Sequence, residues 1–488
     1  MKRISRRGGK RRRVGLRVQL DARGASTSVL QGEVDRPRAL RYGLRTLPLR
    51  AHSLPSVPQG AKGPLFASAM DAIRLRMQRG TGVKPPFLEL DAATCTALHL
   101  PEYPVRAVLR HDAIRLGPAL AVYAMPGEKR LFGSQTRLFA DMAVLAREAN
   151  VDFFVLTPGR LRARSQKTRA YRFYPSRSKW ILEDCPWPDF VWRRTVLRPA
   201  GTQAAMSRDE ELLRATAVFG TLPRPKSEKW FLHNVLSRAP GVQPFLPAAY
   251  PVWSAQDVLQ AVRTLGDVYV KPVRGTQGQK ITRIVALHAG YLLFGAATRN
   301  HGGEVLKDDE ALLRRFAART SDCAWIAQRT VELMRTVADA PIDLRFLVQA
   351  RPGGQADCTG SVARVGSPDA ITTNLHTGAQ ALSFASVEQY LHRRQIPLFR
   401  HGVHTGRAAA LAAFAAVAAD HPSLAELGVD VALDRLGRAY ILEVNASPGR
   451  RMFRLIDPEA RRMSLQRVIE YAVFSTGFDL TARGEGGA

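Results

Sequence analysis

Hydrophobic and polar positions along this chain repeat with two periods, and the changes of period mark out its elements. Ala119–Tyr123 (ALAVY) is an unbroken apolar run, Gln135–Ala149 repeats apolar residues at helical spacing, and Asp152–Leu156 (DFFVL) is a second short run. Strand, helix and strand in that order predict a βαβ unit, and so a parallel sheet covered by helices. Phe190–Trp192 predicts a further short strand, Pro223–Pro225 a loop, and Lys229–Ser237 a helix. Ser254–Leu265 is amphipathic and opens on Ser254, an N-cap three residues before Asp257. Strands follow at Val268–Pro272 and Ile281–Val285, with the glycine turn Gly275–Gly278 between them, then at Trp325–Gln328, Leu344–Gln349 and Gly360–Val365. The pattern then predicts an Ala-rich helix over roughly Gly406–Asp420, a hairpin from Val429–Asp434 and Ala439–Asn445 around Arg435–Gly437, and a last helix near Leu465–Phe474. Residues 1–60, rich in Arg, Gly, Ser and Pro, carry no sustained period and predict a flexible, disordered basic tail.

Composition narrows the class. A chain of 488 residues has room for two or three domains, and 45% hydrophobic residues suffice for buried cores. No run of about 18 uninterrupted apolar residues occurs, so no transmembrane span is expected. Cys95, Cys185, Cys323 and Cys358 have neither CxxC pairing nor histidines at zinc spacing, which suits a reducing compartment. The N-terminus is basic, yet no apolar segment follows Arg13, so no signal peptide is expected and the chain is placed in the cytoplasm. The formal charge is +30, and residues 1–50 hold 15 basic against 3 acidic side chains. Such a tail suits contact with a polyanion. A nucleic-acid-binding function rests on this charge alone, because no helix-turn-helix, zinc finger or aromatic RNA-binding motif accompanies it.

Chemistry concentrates in the C-terminal hairpin. Glu443 and Asn445, two apart on one strand, share a face. Asp430 lies thirteen residues before Glu443, which around a three-residue turn puts it opposite or diagonal to that pair. Three hard oxygen donors on one face suit Mg²⁺ or Mn²⁺ held together with nucleotide phosphates.

These segments resemble a known family. GVDVALDRLGRAYILEVNASPG (Gly428–Gly449) is similar to the metal-binding end of the ATP-grasp superfamily, whose enzymes join a carboxylate to an amine or thiol through an acyl phosphate. VYVKPVRGTQG (Val268–Gly278), WIAQRTVEL (Trp325–Leu333), DLRFLVQ (Asp343–Gln349), ARVG (Ala363–Gly366) and TNLHTGA (Thr373–Ala379) resemble the superfamily's other segments in their usual order. Within it the resemblance is closest to the YheC/YheD group, described as endospore-coat-associated. It extends upstream through Arg115–Met142, Pro186–Arg194 and Ser227–Leu236.

The resemblance implies an α/β protein with an N-terminal pre-ATP-grasp domain at residues 85–225 and an ATP-grasp module at 226–478, its lid at about 235–325. It implies that Lys229, Lys271 and the loop residues Gly275, Thr276, Gln277 and Gly278 hold the ATP phosphates, and that Gln328 and Val331 frame adenine. Arg345 and Arg364 would face the transferring phosphoryl group, Asn374 the metal or the reacting carboxyl, and Asp430, Glu443 and Asn445 the metal. Asp343 is expected to orient Arg345. The loop departs from the family at Lys280, where a glycine is usual, and offers a positive charge there instead.

In the implied reaction a substrate carboxylate attacks the γ-phosphorus and expels ADP. An amine then attacks the acyl phosphate and expels inorganic phosphate. Positioning and charge neutralisation carry such chemistry without a nucleophile–base pair. The partners would be small-molecule or peptide carboxylates and amines. The alternative is a non-catalytic ATP-binding or coat-assembly protein, which has no reason to carry Lys271, Arg345, Arg364, Asp430, Glu443 and Asn445 together.

Overall fold

The computed structural model describes residues 12–14, 46–48, 74–76, 87–90, 95–96, 98–110, 113–162, 167–195, 201–223, 226–273, 281–295, 303–320, 324–368, 373 and 378–479. The chain forms two compact units, one from residues 1–220 together with 465–488 and one from 221–464.

The first unit is built on a sheet whose central strands are the two apolar runs. Asp152–Leu156, Ala119–Tyr123, Phe190–Arg193 and Val218–Phe219 lie side by side and parallel. The strands Ala119–Tyr123 and Asp152–Leu156 are buried along their whole length, as expected of parallel strands covered on both faces. The antiparallel strands Lys167–Tyr174 and Lys179–Pro186 extend the sheet at one edge. Two short strands fall inside the expected tail: Arg12–Val14 pairs with Phe87–Leu90, and Thr46–Pro48 with Ala113–Gly117. The remainder of residues 1–60 lies outside the described residues. The chain's end closes this unit. Tyr471 packs edge-on against Phe190, Phe478 lies under the Arg115 guanidinium, and Arg115 donates to the carbonyl of Thr476.

The second unit has two antiparallel sheets. Its elements are α1 (Lys229–Ser237), β1 (Ala249–Val252), α2 (Ala255–Leu265), β2 (Asp267–Pro272), β3 (Thr282–Ala286), β4 (Tyr291–Gly295), β5 (Glu304–Leu306), α3 (Asp309–Thr320), β6 (Trp325–Arg329), β7 (Ile342–Ala350), β8 (Ala356–Val365), β9 (Gln380–Leu382), α4 (Ile396–Asp420), β10 (Glu426–Leu433) and β11 (Ala439–Asn445). The six-stranded sheet runs β1-β6-β2-β3-β4-β5, and the five-stranded sheet β9-β8-β7-β10-β11. Helices α2 and α3 cover the first through Val258, Leu259, Val262, Leu312 and Phe316. Ser254 caps α2 as its sequence promises. Its hydroxyl accepts from the Asp257 amide, and the Asp257 carboxylate accepts from the Ser254 amide, closing a capping box.

Helix α4 begins ten residues earlier than its alanine run suggests. Pro397 lies in the first turn, where its missing N–H costs nothing, and Gly402 and Gly406 lie inside the helix. Both glycines face the second sheet. A Cβ on Gly402 would stand 2.7 Å from the Gly437 carbonyl oxygen, and one on Gly406 would stand 3.2 Å from Val431. Bare backbone there lets the helix press onto β10. With the turn that precedes it (Arg393–Asp420), this helix is long and apolar enough to cross a bilayer, at a mean hydropathy of 1.2. Here that apolar character covers the sheet: Phe399, Ala409, Ala410, Ala413, Phe414 and Val417 are buried. The last helix, Pro458–Ser475, begins in the second unit and ends in the first.

Candidate functional site

Strand alternation aims the site. On β2, Val268 and Val270 point into the core beneath α2 and α3, so Tyr269 and Lys271 point to the opposite face. On β6, Trp325 and Ala327 take the core and leave Gln328 beside Lys271. The Lys271 ammonium is buried and donates to Gln328 Oε1 at 2.8 Å and to the Leu442 carbonyl at 3.0 Å. The second acceptor belongs to β11 of the other sheet. It is available because of a bulge. Asp430 pairs with Glu443 and Val431 with Ile441, which leaves Leu442 without a partner in the ladder. Burial pushes the Lys271 ammonium down to about 8, and Lys229 adds to the fall, against the opposing pull of Glu443 and Asp430.

Helix α1 contributes two cationic or polar side chains one turn apart. Lys229 Nζ stands 3.8 Å from Glu443 Oε1. His233, stacked on Trp230, lines the same cleft as Lys229, Lys271, Gln328 and Glu443. Burial lowers the His233 pKa, and the neighbouring Lys271 charge adds to this. His233 was not legible as a site residue by motif. Its one signal is the i, i+4 spacing from Lys229, which puts both on one helix face.

The second sheet supplies an ordered set of charges. Asp430 on β10 stands opposite Glu443 on β11 and opposite Arg345 on β7, while Asp343 on β7 stands opposite Arg364 on β8. The Arg345 guanidinium grips both Asp430 oxygens, Nη2 at 2.8 Å from Oδ2. Arg364 grips both Asp343 oxygens, with Nε 2.6 Å from Oδ1, and reaches Asp430 Oδ2 at 3.2 Å. Thr373 donates to Asp343 Oδ2 at 2.5 Å. Asp343 therefore orients Arg364, not Arg345 as expected. Residues two apart on a strand share a face, but the tight partner of each is the residue directly across the ladder. Burial pushes the Asp430 carboxyl up, and the guanidiniums of Arg345 and Arg364 outweigh it, holding the group below the ordinary carboxylate value.

Asn445 lies two residues beyond Glu443 and opposite Gly428, whose missing side chain leaves room between Arg345, Pro448 and Asn445. Val331 follows β6 in the segment joining the two sheets, half-buried. Structure thus brings Lys229, Lys271, Gln328 and Glu443 to one cleft, and Arg345, Arg364 and Asp430 to the adjoining ladder. Gly275, Thr276, Gln277, Gly278, Lys280 and Asn374 lie outside the described residues.

Among the described residues, no three His, Cys, Asp or Glu side chains could hold a metal together. The candidate donor set is accordingly two carboxylates and an amide. Asp430, Glu443 and Asn445 are all hard oxygen donors on one hairpin, and Glu443 is partly exposed, with Lys229 no nearer than 3.8 Å. This chemistry fits Mg²⁺ or Mn²⁺.

Residues 222–474 match the family described as YheC/D like ATP-grasp, which is more than half of the chain. The chain belongs to this family. Its mixed α/β architecture is the ATP-grasp fold. It is 22% identical over 363 residues to the endospore coat-associated protein YheD of Bacillus subtilis (strain 168), covering 73% of this chain and 78% of that protein. It is 20% identical over 332 residues to YheC of the same organism, covering 66% and 87%. Among solved structures it is similar to D-cycloserine synthetase DcsG, at 16% identity over 72% of this chain and 99% of that one, with a TM-score of 0.43.

Proposed function

We propose that this YheC/D-like chain is an ATP- and Mg²⁺-dependent ligase that joins a carboxylate to an amine, or to a thiol, through an acyl phosphate. The observation that carries this reading is the convergence of Lys271, Lys229 and Glu443 on one cleft, beside the buried Arg345–Asp430–Arg364–Asp343 set. Three carboxylates, Asp430, Asp343 and Glu443, stand against the four cations, and the site keeps an excess of positive charge that suits an anionic ligand.

In this reading Lys271 and Lys229 neutralise the nucleotide phosphates as point charges, and Gln328 with the Val331 backbone receives the base. Asp430, Glu443 and Asn445 would hold the divalent cation, which supplies charge neutralisation at the phosphate oxygens. Arg345 and Arg364 offer planar forks to the phosphoryl group as it transfers and to the acyl phosphate that results. The substrates are a small-molecule or peptide carboxylate and an amine. We extend to this chain the coat association that the names of YheD and YheC carry, and give the basic tail the role of meeting a polyanion there.

The test is ADP release screened over amino acids, dipeptides and cell-wall fragments, with mass spectrometry of the products. Glu443→Ala should abolish substrate-dependent ADP formation. Full activity in that variant would remove Glu443 from the metal-holding role and overturn the mechanism given above, and nucleotide binding with no turnover on any substrate would replace the ligase by the non-catalytic reading. For the tail, binding to a polyanion such as heparin should lose most of its salt dependence once residues 1–60 are removed; an unchanged salt slope would remove the tail from that role.

A further inference from the structure

The Asp430 carboxylate stands between two sets of partners. On one side Arg345 engages both of its oxygens, and Arg364 reaches Oδ2 at 3.2 Å. On the other side lie Glu443, directly across the ladder, and Asn445, two residues further along the same strand. A guanidinium fork and a divalent cation compete for the same lone pairs, so Asp430 cannot serve both fully at once.

The two arginines are not equivalent. Arg364 is fixed by its own fork on Asp343, whose second oxygen also accepts from Thr373. Arg345 has Asp430 as its carboxylate partner, and both side chains are about nine-tenths buried. If Asp430 turns toward a metal, Arg364 stays where it is and Arg345 is left as a buried cation without its counter-charge. If a phosphate draws Arg345 away first, Asp430 loses its principal counter-charge in the same way.

We propose that Asp430 exchanges partners when the nucleotide binds: its carboxylate leaves Arg345 for the divalent cation, and the freed Arg345 fork takes the terminal phosphate. Asp343 is the positioning residue that keeps Arg364 in place throughout. The exchange rests on the metal–nucleotide reading above and adds a coupling to it. Metal alone or nucleotide alone must strand a buried charge, whereas the two together leave none. Each ligand therefore strengthens the other, and by linkage the factor is the same in both directions.

The experiment measures Mn²⁺ affinity from the electron paramagnetic resonance signal of free Mn²⁺. It compares the full chain with Arg345→Gln and Arg345→Lys, with and without the non-hydrolysable analogue adenylyl-imidodiphosphate, and thermal melts of the same samples establish folding. Removing the fork frees Asp430, so nucleotide-free Arg345→Gln should bind Mn²⁺ about 10-fold or more tightly than the unaltered chain, while the analogue no longer tightens Mn²⁺ to the same degree. Arg345→Lys keeps the charge, loses the bidentate fork and should fall between the two. Unchanged or weaker nucleotide-free Mn²⁺ binding in the folded variants overturns the exchange even if the analogue binds normally. An unaltered chain that binds no Mn²⁺–analogue complex overturns the underlying nucleotide reading instead.

Discussion

Lys271 offers the sharpest test of the site's electrostatics. Its ammonium is buried and titrates at about 8 in the nucleotide-free protein, against 10.5 for an ordinary lysine. Below about pH 8 the cleft presents a cation to any phosphate that enters it; above that pH, most molecules present a neutral amine. A nucleotide that needs the cation must then restore the proton. Metal-free ATP affinity should therefore hold steady from pH 6.5 to 7.5 and fall about tenfold per pH unit from 8 upward. Calorimetry at pH 9 in two buffers of different ionisation heat should register the uptake of close to one proton per ATP bound. Lys271→Met should bind ATP weakly at every pH and take up none. The same group acts on stability with the opposite sign. Between about pH 8 and 10 the unfolded chain keeps a proton that the folded chain has released, so this lysine makes stability rise with pH, by up to about 3 kcal/mol across the interval. Below pH 8 both states hold the proton and its contribution is flat. ATP affinity that stays level from pH 7 to 9.5, with no proton uptake, would show that Lys271 does not meet the phosphates as an ammonium.

Further outcomes follow from packing and pairing. Asp343→Leu removes the fork partner of the buried Arg364 guanidinium, leaving it only the 3.2 Å contact with Asp430, and should cost about 3 kcal/mol in urea unfolding; a loss below about 1 kcal/mol would show that the pair is not the buried unit described. Gly402→Ala drives a methyl group against the Gly437 carbonyl and the Leu433 side chain, and should lower stability by about 1–3 kcal/mol, read as a fall in Tm of several degrees. Ser254→Ala breaks the capping box of α2 and should cost about 1 kcal/mol while leaving nucleotide affinity unchanged.

The contrast between what the sequence revealed and what it hid has a physical origin. The hairpin itself was legible from its three-residue turn, but that turn alone sets Asp430 opposite Leu442; the bulge is what brings it to Glu443. Helix α1, the α2 cap and the strand before the glycine loop were legible for the same reason: each is specified by neighbours a few residues away. The partners of Arg345 and Arg364 were not. Arg345 meets Asp430 85 residues later, and which acid faces which arginine depends on ladder register between segments distant in sequence. The start of α4 was hidden because Pro397, Gly402 and Gly406 look like interruptions. They are tolerated by the first-turn position and by contact with the sheet, both invisible in a local pattern. The Leu442 carbonyl that receives Lys271 was hidden as well, since a bulge becomes apparent only once both strands are in place.

The return of the final helix to the first unit sets an order of events during synthesis. Residues 221–464 form a continuous stretch, so the second unit can complete its two sheets as soon as it has left the ribosome. The first unit is translated earlier and yet finishes later. Until Tyr471 and Phe478 emerge, Phe190 lacks its edge-on ring and Arg115 its aromatic floor. For the time taken to translate some 250 residues, at about 5–20 residues per second, this unit waits open with part of its apolar interior uncovered. The half made first is thus the half completed last, and a stop codon at Leu465 leaves it without Tyr471 and Phe478 while the continuous stretch 221–464 is made whole.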